Sequence, residues 1–157
     1  MNTISPYLLT KLLLPILAEN GRVVSLSSAA QAPMIADNLT KPSSLDDSQV
    51  YAQSKLALTM WTNALAQKVK DGQVIVSVNP KSFIGSKMVK EAYGIAGGSL
   101  KDGSDILVRA ALSDEFSDAS GKYFDNDIGQ FSAPHPDGMN IDKCVLVLET
   151  LESIVNR

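Results

Sequence analysis

Apolar positions recur every three to four residues from Asn2 to Glu19, with Ile4, Leu8, Leu12 and Ile16 in one line and Leu9 and Leu13 beside it. This spacing predicts a helix with an apolar face wide enough for burial on two sides, against a sheet and against another helix. Asn20-Gly21 supplies its stop. Val23 to Leu26 is a continuous apolar run, the pattern of a strand in a parallel sheet covered on both faces. Helical spacing returns over Tyr51 to Val69, with Leu56, Met60, Leu65 and Val69 as core positions and Asp47 or Ser48 placed to cap its start. After the turn Lys70-Asp71-Gly72, Val74 to Val78 predicts a second strand, stopped at Asn79-Pro80. A helix joining two parallel strands is a βαβ crossover.

Residues 29–49 break this alternation with a polar, irregular excursion containing Pro33, Asn38, Pro42, Ser43-Ser44 and Asp46-Asp47. A loop of this length is either a tolerated surface insertion or a functional element. Residues 81–103 are rich in Ser, Gly and Lys around a short amphipathic piece from Met88 to Tyr93, the composition of a lid. A further helix is expected over Asp105 to Phe116, a short last strand at Gly121-Lys122-Tyr123-Phe124 and a final helix over Ile141 to Val155. The whole is α/β: one domain over residues 1–157, with a doubly wound, partial parallel sheet of about three strands and flanking helices.

Composition narrows the function classes. The 157 residues are 45% hydrophobic and 20% charged, with a net charge of −3. There is no polybasic run, and nucleic acid is not an expected partner. The single Cys144 excludes an internal disulfide and sits with Val145 and Leu148 in an apolar helical pattern, which predicts a core position. The single His135, in Ala-Pro-His-Pro-Asp-Gly, has no neighbouring ligand residue and is expected in a loop. The apolar run Tyr7 to Ala18 is interrupted by Lys11 and Pro15 and is too short to span a bilayer. No basic segment precedes it in the manner of a signal peptide, so no membrane association and a cytoplasmic location are expected.

Candidate chemistry centres on Tyr51 and Lys55. Four residues apart at the start of a helix, the two side chains can share one face. A phenol titrates near ~10 and is a poor acid or base at neutral pH, whereas a fixed cation nearby favours the phenolate and moves it toward proton-transfer work. Upstream, Arg22-Val23-Val24-Ser25-Leu26-Ser27-Ser28 is a strand ending in paired hydroxyls. Such an end lies at the carboxyl edge of the sheet, where open α/β sheets place their ligands. By itself Ser28 is read as a strand-end turn serine.

Strand, hydroxyl, Tyr-x-x-x-Lys helix, strand and Asn-Pro, in that order, resemble the short-chain dehydrogenase/reductase family, from about Asn2 to the C-terminus. The match is to the second half of that family's domain. The excursion at residues 29–49 is similar to that of the retinol-dehydrogenase-like members. The resemblance implies an oxidoreductase that interconverts an alcohol and a carbonyl with NAD or NADP. Tyr51 would be the proton donor, with Lys55 holding its pKa down and bonding the nicotinamide ribose, and Ser28 would hydrogen-bond the substrate oxygen. Asn2, in a segment resembling the one that completes the family's proton relay, would be a relay residue; its alternative is an N-cap for the first helix. Asn79, Pro80, Ile84 and Ser86 match the family's nicotinamide contacts. The lid residues Met88, Val89, Tyr93 and Ile95 point to a hydrophobic alcohol, ketone or aldehyde as the small-molecule substrate.

Two departures stand out. The family has glycine after Asn-Pro, where backbone approaches the cofactor, and this chain has Lys81, which would crowd that approach or add a positive charge to it. The family's Gly-x-x-x-Gly-x-Gly turn, which seats the pyrophosphate, has no counterpart, because Gly94-x-x-Gly97-Gly98 follows no strand and opens no clear helix. Val23 to Leu26 would then present an unpaired sheet edge. The expectation is therefore an oxidoreductase corresponding to the C-terminal half of its family, forming a homo-oligomer or associating with a full-length relative. The alternative is a catalytically inactive module that dimerises through its first two helices.

Overall fold

The continuous apolar run Val23 to Leu26 lies in an edge strand of the sheet. In the computed structural model, which describes residues 2–41 and 44–156, strand β1 (Arg22–Leu26) pairs in parallel with β2 (Val74–Asn79), Val24 opposite Val76. Strand β2 pairs in parallel with β3 (Tyr123–Asp125), and β3 pairs antiparallel with β4 (Gln130–Ser132). The order β1-β2-β3-β4 makes a four-stranded, mostly parallel sheet, one strand more than the sequence predicts. Pro42 and Ser43 of the excursion lie outside the described residues.

Alternation along β2 decides what covers each face. Val74, Val76 and Val78 point to one side, where Ile106 and Ala110 of helix α4 (Leu100–Leu112) meet Phe116 and Phe124. Ile75 points to the other and joins a larger core of Leu56, Met60 and Trp61 from helix α2 (Asp47–Ala66) with Cys144, Leu148 and Leu151 from helix α6 (Ile141–Val155). Cys144 is fully buried, as its apolar setting predicts, and burial pushes its thiol up to about 11. Helix α2 is therefore central: it spans β1 to β2 and is covered by α6, so its apolar surface is used within the chain.

Helix α1 (Ile4–Leu13) behaves differently. It ends before Pro15, which is held in a 3-10 turn at Leu14–Ile16, instead of running to Glu19. Tyr7 and Thr10 are buried, but Leu9, Leu12 and Ile16 are 59%, 65% and 79% exposed. The expected burial on two sides is met on one only, because β1 has no neighbouring strand on its outer side among the described residues to carry a second layer.

Other boundaries shift for local reasons. Helix α2 is capped by Asp46, whose Oδ1 accepts from the Gln49 N–H at 2.9 Å, in place of Asp47 or Ser48. It ends at Ala66 and not Val69. Helix α4 starts at Leu100 and not Asp105, capped by Ser99, whose Oγ accepts from the Lys101 N–H at 3.1 Å; Gly103 within it faces Ile84 and Pro80, where a Cβ would lie 3.4 Å from the Ile84 side chain. A short helix α3 (Lys87–Tyr93) occupies the expected amphipathic piece, and Gly94 closes it in the left-handed conformation. His135 precedes a one-turn helix α5 (Pro136–Met139), its ring Nδ1 accepting from the Asp137 N–H.

Candidate functional site

The carboxyl ends of β1 and β2 open into a cleft of about 340 Å³. Its lining includes Ser28, Tyr51, Lys55, Asn79, Pro80, Ile84 and Ser86, with the lid residues Met88, Val89 and Tyr93; of the residues the sequence assigned to catalysis, cofactor and substrate, Asn2 and Ile95 are not part of it. Their convergence follows from topology. Parallel strands joined by helices bring their carboxyl ends to one edge, and α2 starts at that edge, so Tyr51 and Lys55 on its first turns face the strand ends.

The paired hydroxyls divide their work. Ser27 is buried, its Oγ 2.7 Å from Thr59 Oγ1 and near the Lys55 carbonyl, so it fastens β1 to α2. Ser28 is only half-buried and lines the cleft, with its Oγ accepting from the Ala30 N–H at 3.1 Å. The Ser28 carbonyl accepts from the Tyr123 hydroxyl at 3.1 Å and the Gln31 side-chain amide at 2.9 Å, which fixes the turn carrying the serine. Burial, with Asp125 and Asp127 nearby, pushes the Tyr123 phenol up, so it remains a donor to that carbonyl.

Lys55 reaches across to the end of β1, where its Nζ donates to the Leu26 carbonyl at 2.8 Å. The same ammonium lies 5.6 Å from the centroid of the Tyr51 ring, close enough for the attraction between a cation and an aromatic face. Burial holds the Lys55 pKa below the ordinary lysine value. The expected juxtaposition of the phenol and the ammonium is present.

Asn2 lies elsewhere. It lines a neighbouring trough of about 490 Å³ that runs along the outer edge of β1 beneath the α1 leucines, and the two hollows share only Leu26 and Lys55. Its amide reaches Ser54 Oγ at 3.4 Å, and the N-cap of α1 is Thr3. The N-cap alternative for Asn2 is therefore not met.

Across the cleft, the loop after β2 is pinned. The Asn79 side chain is buried and its amide donates to Asp125 at 2.8 Å and to Asp127 at 2.9 Å. Lys81, standing where a glycine was expected, has φ 142, a backbone that favours glycine. Its ammonium is drawn to Asp102 at 2.6 Å, so the side chain is directed to helix α4. Ser86 lines the cleft and also caps α3, its Oγ accepting from Val89. The excursion is fastened too. Met34 donates to Asp137, Gln53 donates to the Pro33 carbonyl, and His135 donates to the Gln31 side chain.

Three contributors escape the sequence reading. Phe83 and Tyr123 line or fasten the cleft without belonging to any recognisable motif. Asp127 stands in Asp125-Asn126-Asp127-Ile128-Gly129, a polar turn directly after a strand, and that acidic turn is the one sequence signal that could have drawn notice. Among the described residues there is no cluster of three or more metal-ligating side chains, and no helix is long and apolar enough to cross a membrane.

Comparison with known proteins places this geometry in company. No family model matches the chain. It is 27% identical over 147 residues to short-chain dehydrogenase TIC 32 A, chloroplastic, of Brassica napus, an alignment covering 78% of this chain and 46% of that protein. It is 30% identical over 148 residues to polyprenol dehydrogenase of Homo sapiens, covering 81% of this chain and 45% of that protein. The chain thus spans about half the length of the curated relatives it matches. A crystal structure of an uncharacterized protein from Mycobacterium paratuberculosis superposes with a TM-score of 0.71 over 99% of this chain and 57% of that one, at 18% identity, and carries the fold alone. The chain is a distant relative of short-chain dehydrogenases, with a Rossmann-like α/β fold.

Proposed function

We propose that this chain carries the catalytic half of an NAD- or NADP-dependent oxidoreductase that interconverts an alcohol and a carbonyl. The observation that supports it most directly is the meeting of Ser28, Tyr51 and Lys55 in one cleft with Pro80, Ile84 and Ser86. In the reducing direction the Tyr51 hydroxyl gives its proton to the carbonyl oxygen, and Ser28 donates a hydrogen bond to that oxygen as charge develops on it. Lys55 favours the resulting phenolate electrostatically, and Asn2, beside the trough that Lys55 also lines, stands on the route by which a water could return the proton. The nicotinamide supplies or accepts the hydride when bound.

The residues present fit one end of that cofactor. Lys55 projects between both hollows, in reach of ribose hydroxyls, and Pro80, Ile84 and Ser86 wall the cleft where a nicotinamide would lie. For the pyrophosphate end, no strand–glycine turn–helix unit occurs along the outer edge of β1 among the described residues. The chain spans about half the length of its relatives, and on this reading a complete cofactor site needs further polypeptide beside β1. Met88, Val89 and Tyr93, which line the cleft, favour a hydrophobic alcohol, ketone or aldehyde, in keeping with a relative named for polyprenol; Ile95 stands outside the lining.

NADH and NADPH binding to the purified chain, by calorimetry, with Tyr51→Phe and Lys55→Ala alongside, tests the proposal. Saturable binding weakened by Lys55→Ala is expected. A folded sample that binds neither cofactor up to millimolar concentration overturns the reading of this cleft as a nicotinamide site.

A second reading, an interaction module without turnover, draws on the outward-facing leucines of α1 and the open edge of β1. The partner would be a second copy or a full-length relative, meeting α1 and β1 and not the already covered α2.

A further inference from the structure

The loop after β2 is bent in a way its own sequence resists. Lys81 at φ 142 and Phe83 at φ 52 both occupy conformations that side chains rarely adopt. Such residues persist only where their surroundings over-determine them. Between them sits Ser82, gripped by both oxygens of one carboxylate. Its N–H donates to Asp127 Oδ1 at 2.8 Å and its hydroxyl to Asp127 Oδ2 at 2.5 Å. Asp127 is itself held, because Asn79 donates to its Oδ2 at 2.9 Å and its own N–H donates to Asp125 Oδ1 at 3.0 Å. Next to it, the Asn126 amide donates to the Pro80 carbonyl at 2.8 Å.

The far side of the loop is closed by glycines. Gly98 donates to the Phe83 carbonyl at 2.7 Å and accepts from Gly85 at 2.8 Å. A Cβ on Gly97 would lie 2.7 Å from both the Phe83 carbonyl oxygen and Gly85 Cα, so only glycine allows this approach. What the two fastenings produce is an aromatic pair. Phe83 and Tyr93 meet edge to face, centroids 5.1 Å apart at 77°, and both line the cleft while remaining 52% and 61% exposed.

We propose that Asp127 is a positioning residue for substrate: through Ser82 it holds the strained turn that sets Phe83 against Tyr93 as a preformed wall for the apolar part of an alcohol or carbonyl compound. The proposal rests on the reading of this cleft as an alcohol–carbonyl site. Its physical content is that a bulky residue at a positive φ relaxes once its clamp is removed, and the wall is lost with it. Asparagine at this position replaces one acceptor oxygen by a donor, which confronts the Ser82 N–H if it stands at Oδ1 and the Asn79 amide if it stands at Oδ2.

The test follows 1-octanol binding to the full chain by NMR, reading the ring signals of Phe83 and Tyr93. Wild type is compared with Asp127→Asn, Ser82→Ala and the double variant Asp127→Asn/Lys81→Gly. Octanol is expected to shift both rings in the wild type. Asp127→Asn should lose the ring-to-ring contact and bind about tenfold more weakly, while Trp61 signals stay in place. Ser82→Ala should weaken binding in the same direction by less. Lys81→Gly, which tolerates φ 142 unaided, should restore part of the loss. The proposal is overturned by an Asp127→Asn protein with an intact aromatic pair and unchanged octanol affinity, or by octanol that moves neither ring in the wild type. If Asp127→Asn does not fold, Ser82→Ala decides by the same two criteria. Octanol binding needs no cofactor, so a failure to bind NADH removes the redox reading and leaves this result standing.

Discussion

The Lys55 ammonium donates to the carbonyl of Leu26 at 2.8 Å and so ties the central helix to the last residue of the edge strand. The bond satisfies a carbonyl at a strand end that has no outer neighbour among the described residues, and it places the cation beside the Tyr51 ring.

Replacing Lys55 by methionine should change stability little. Burial holds the folded-state pKa below the unfolded one, so at neutral pH the charge on Lys55 opposes folding. Methionine keeps the apolar stem and removes that cost, while the Leu26 carbonyl turns to water. A net change within about 1 kcal/mol is expected in urea unfolding at pH 7. Because the unfolded chain binds this proton more tightly, wild-type stability gains a contribution as pH rises through the folded lysine value toward the unfolded one. Lys55→Met should lack that alkaline gain. A loss of several kcal/mol at pH 7 would mean that the ammonium–carbonyl bond outweighs the burial cost.

Asp137 should govern the acid side. Its hydrogen bond to the Lys143 ammonium, and a further one from the Met34 N–H, outweigh burial and hold its carboxyl below the ordinary carboxylate range. A depressed folded pKa means stability that is present above the unfolded value near ~3.9 and lost as pH falls through the folded one. Asp137→Asn should flatten that part of the acid limb. It should also speed hydrogen exchange at the Met34 amide by about tenfold, since the excursion loses a fastening. Unchanged exchange at Met34 would show that the Gln53 contact to Pro33 suffices.

The outer face of α1 should report association. Leu12 is 65% exposed and touches none of the core, so Leu12→Ser costs the isolated fold little, within about 0.5 kcal/mol. If the chain self-associates through α1 and β1, sedimentation should show a concentration-dependent mass in wild type that Leu12→Ser reduces. A wild-type chain that stays monomeric at high concentration removes the second-copy partner.

The sequence is most informative where one pattern has a single interpretation. The apolar runs of β1 and β2 and the spacing of α2 and α6 are long enough to settle type, and the predicted span of α6 coincides with the observed Ile141–Val155. The convergence of Ser28, Tyr51 and Lys55 follows from strand order, so it was legible once the order was. Strand β4 was not, because three residues with one core side chain, Phe131, carry no periodicity; its pairing depends on a turn through Asn126 and Gly129. Gly103 marked a helix interior as loop, because its reason is contact with Ile84 and not local propensity. The clamp by Asp127 joins residues 45 apart in sequence, and no local pattern announces it.

Four residues late in the chain fasten the cleft walls, beside the earlier ties made by Gln53, Lys55 and Thr59. Tyr123 holds Ser28, Asp127 holds Ser82, and Asp137 and His135 hold the excursion at Met34 and Gln31. During synthesis the three residues of the proposed chemistry therefore leave the ribosome well before these four do. A nascent chain arrested before Tyr123 carries Ser28, Tyr51 and Lys55 without the holds on Ser28, Ser82 and the excursion that Tyr123, Asp127, Asp137 and His135 supply. Chemistry at this site matures last, when the final third of the polypeptide closes over residues made much earlier.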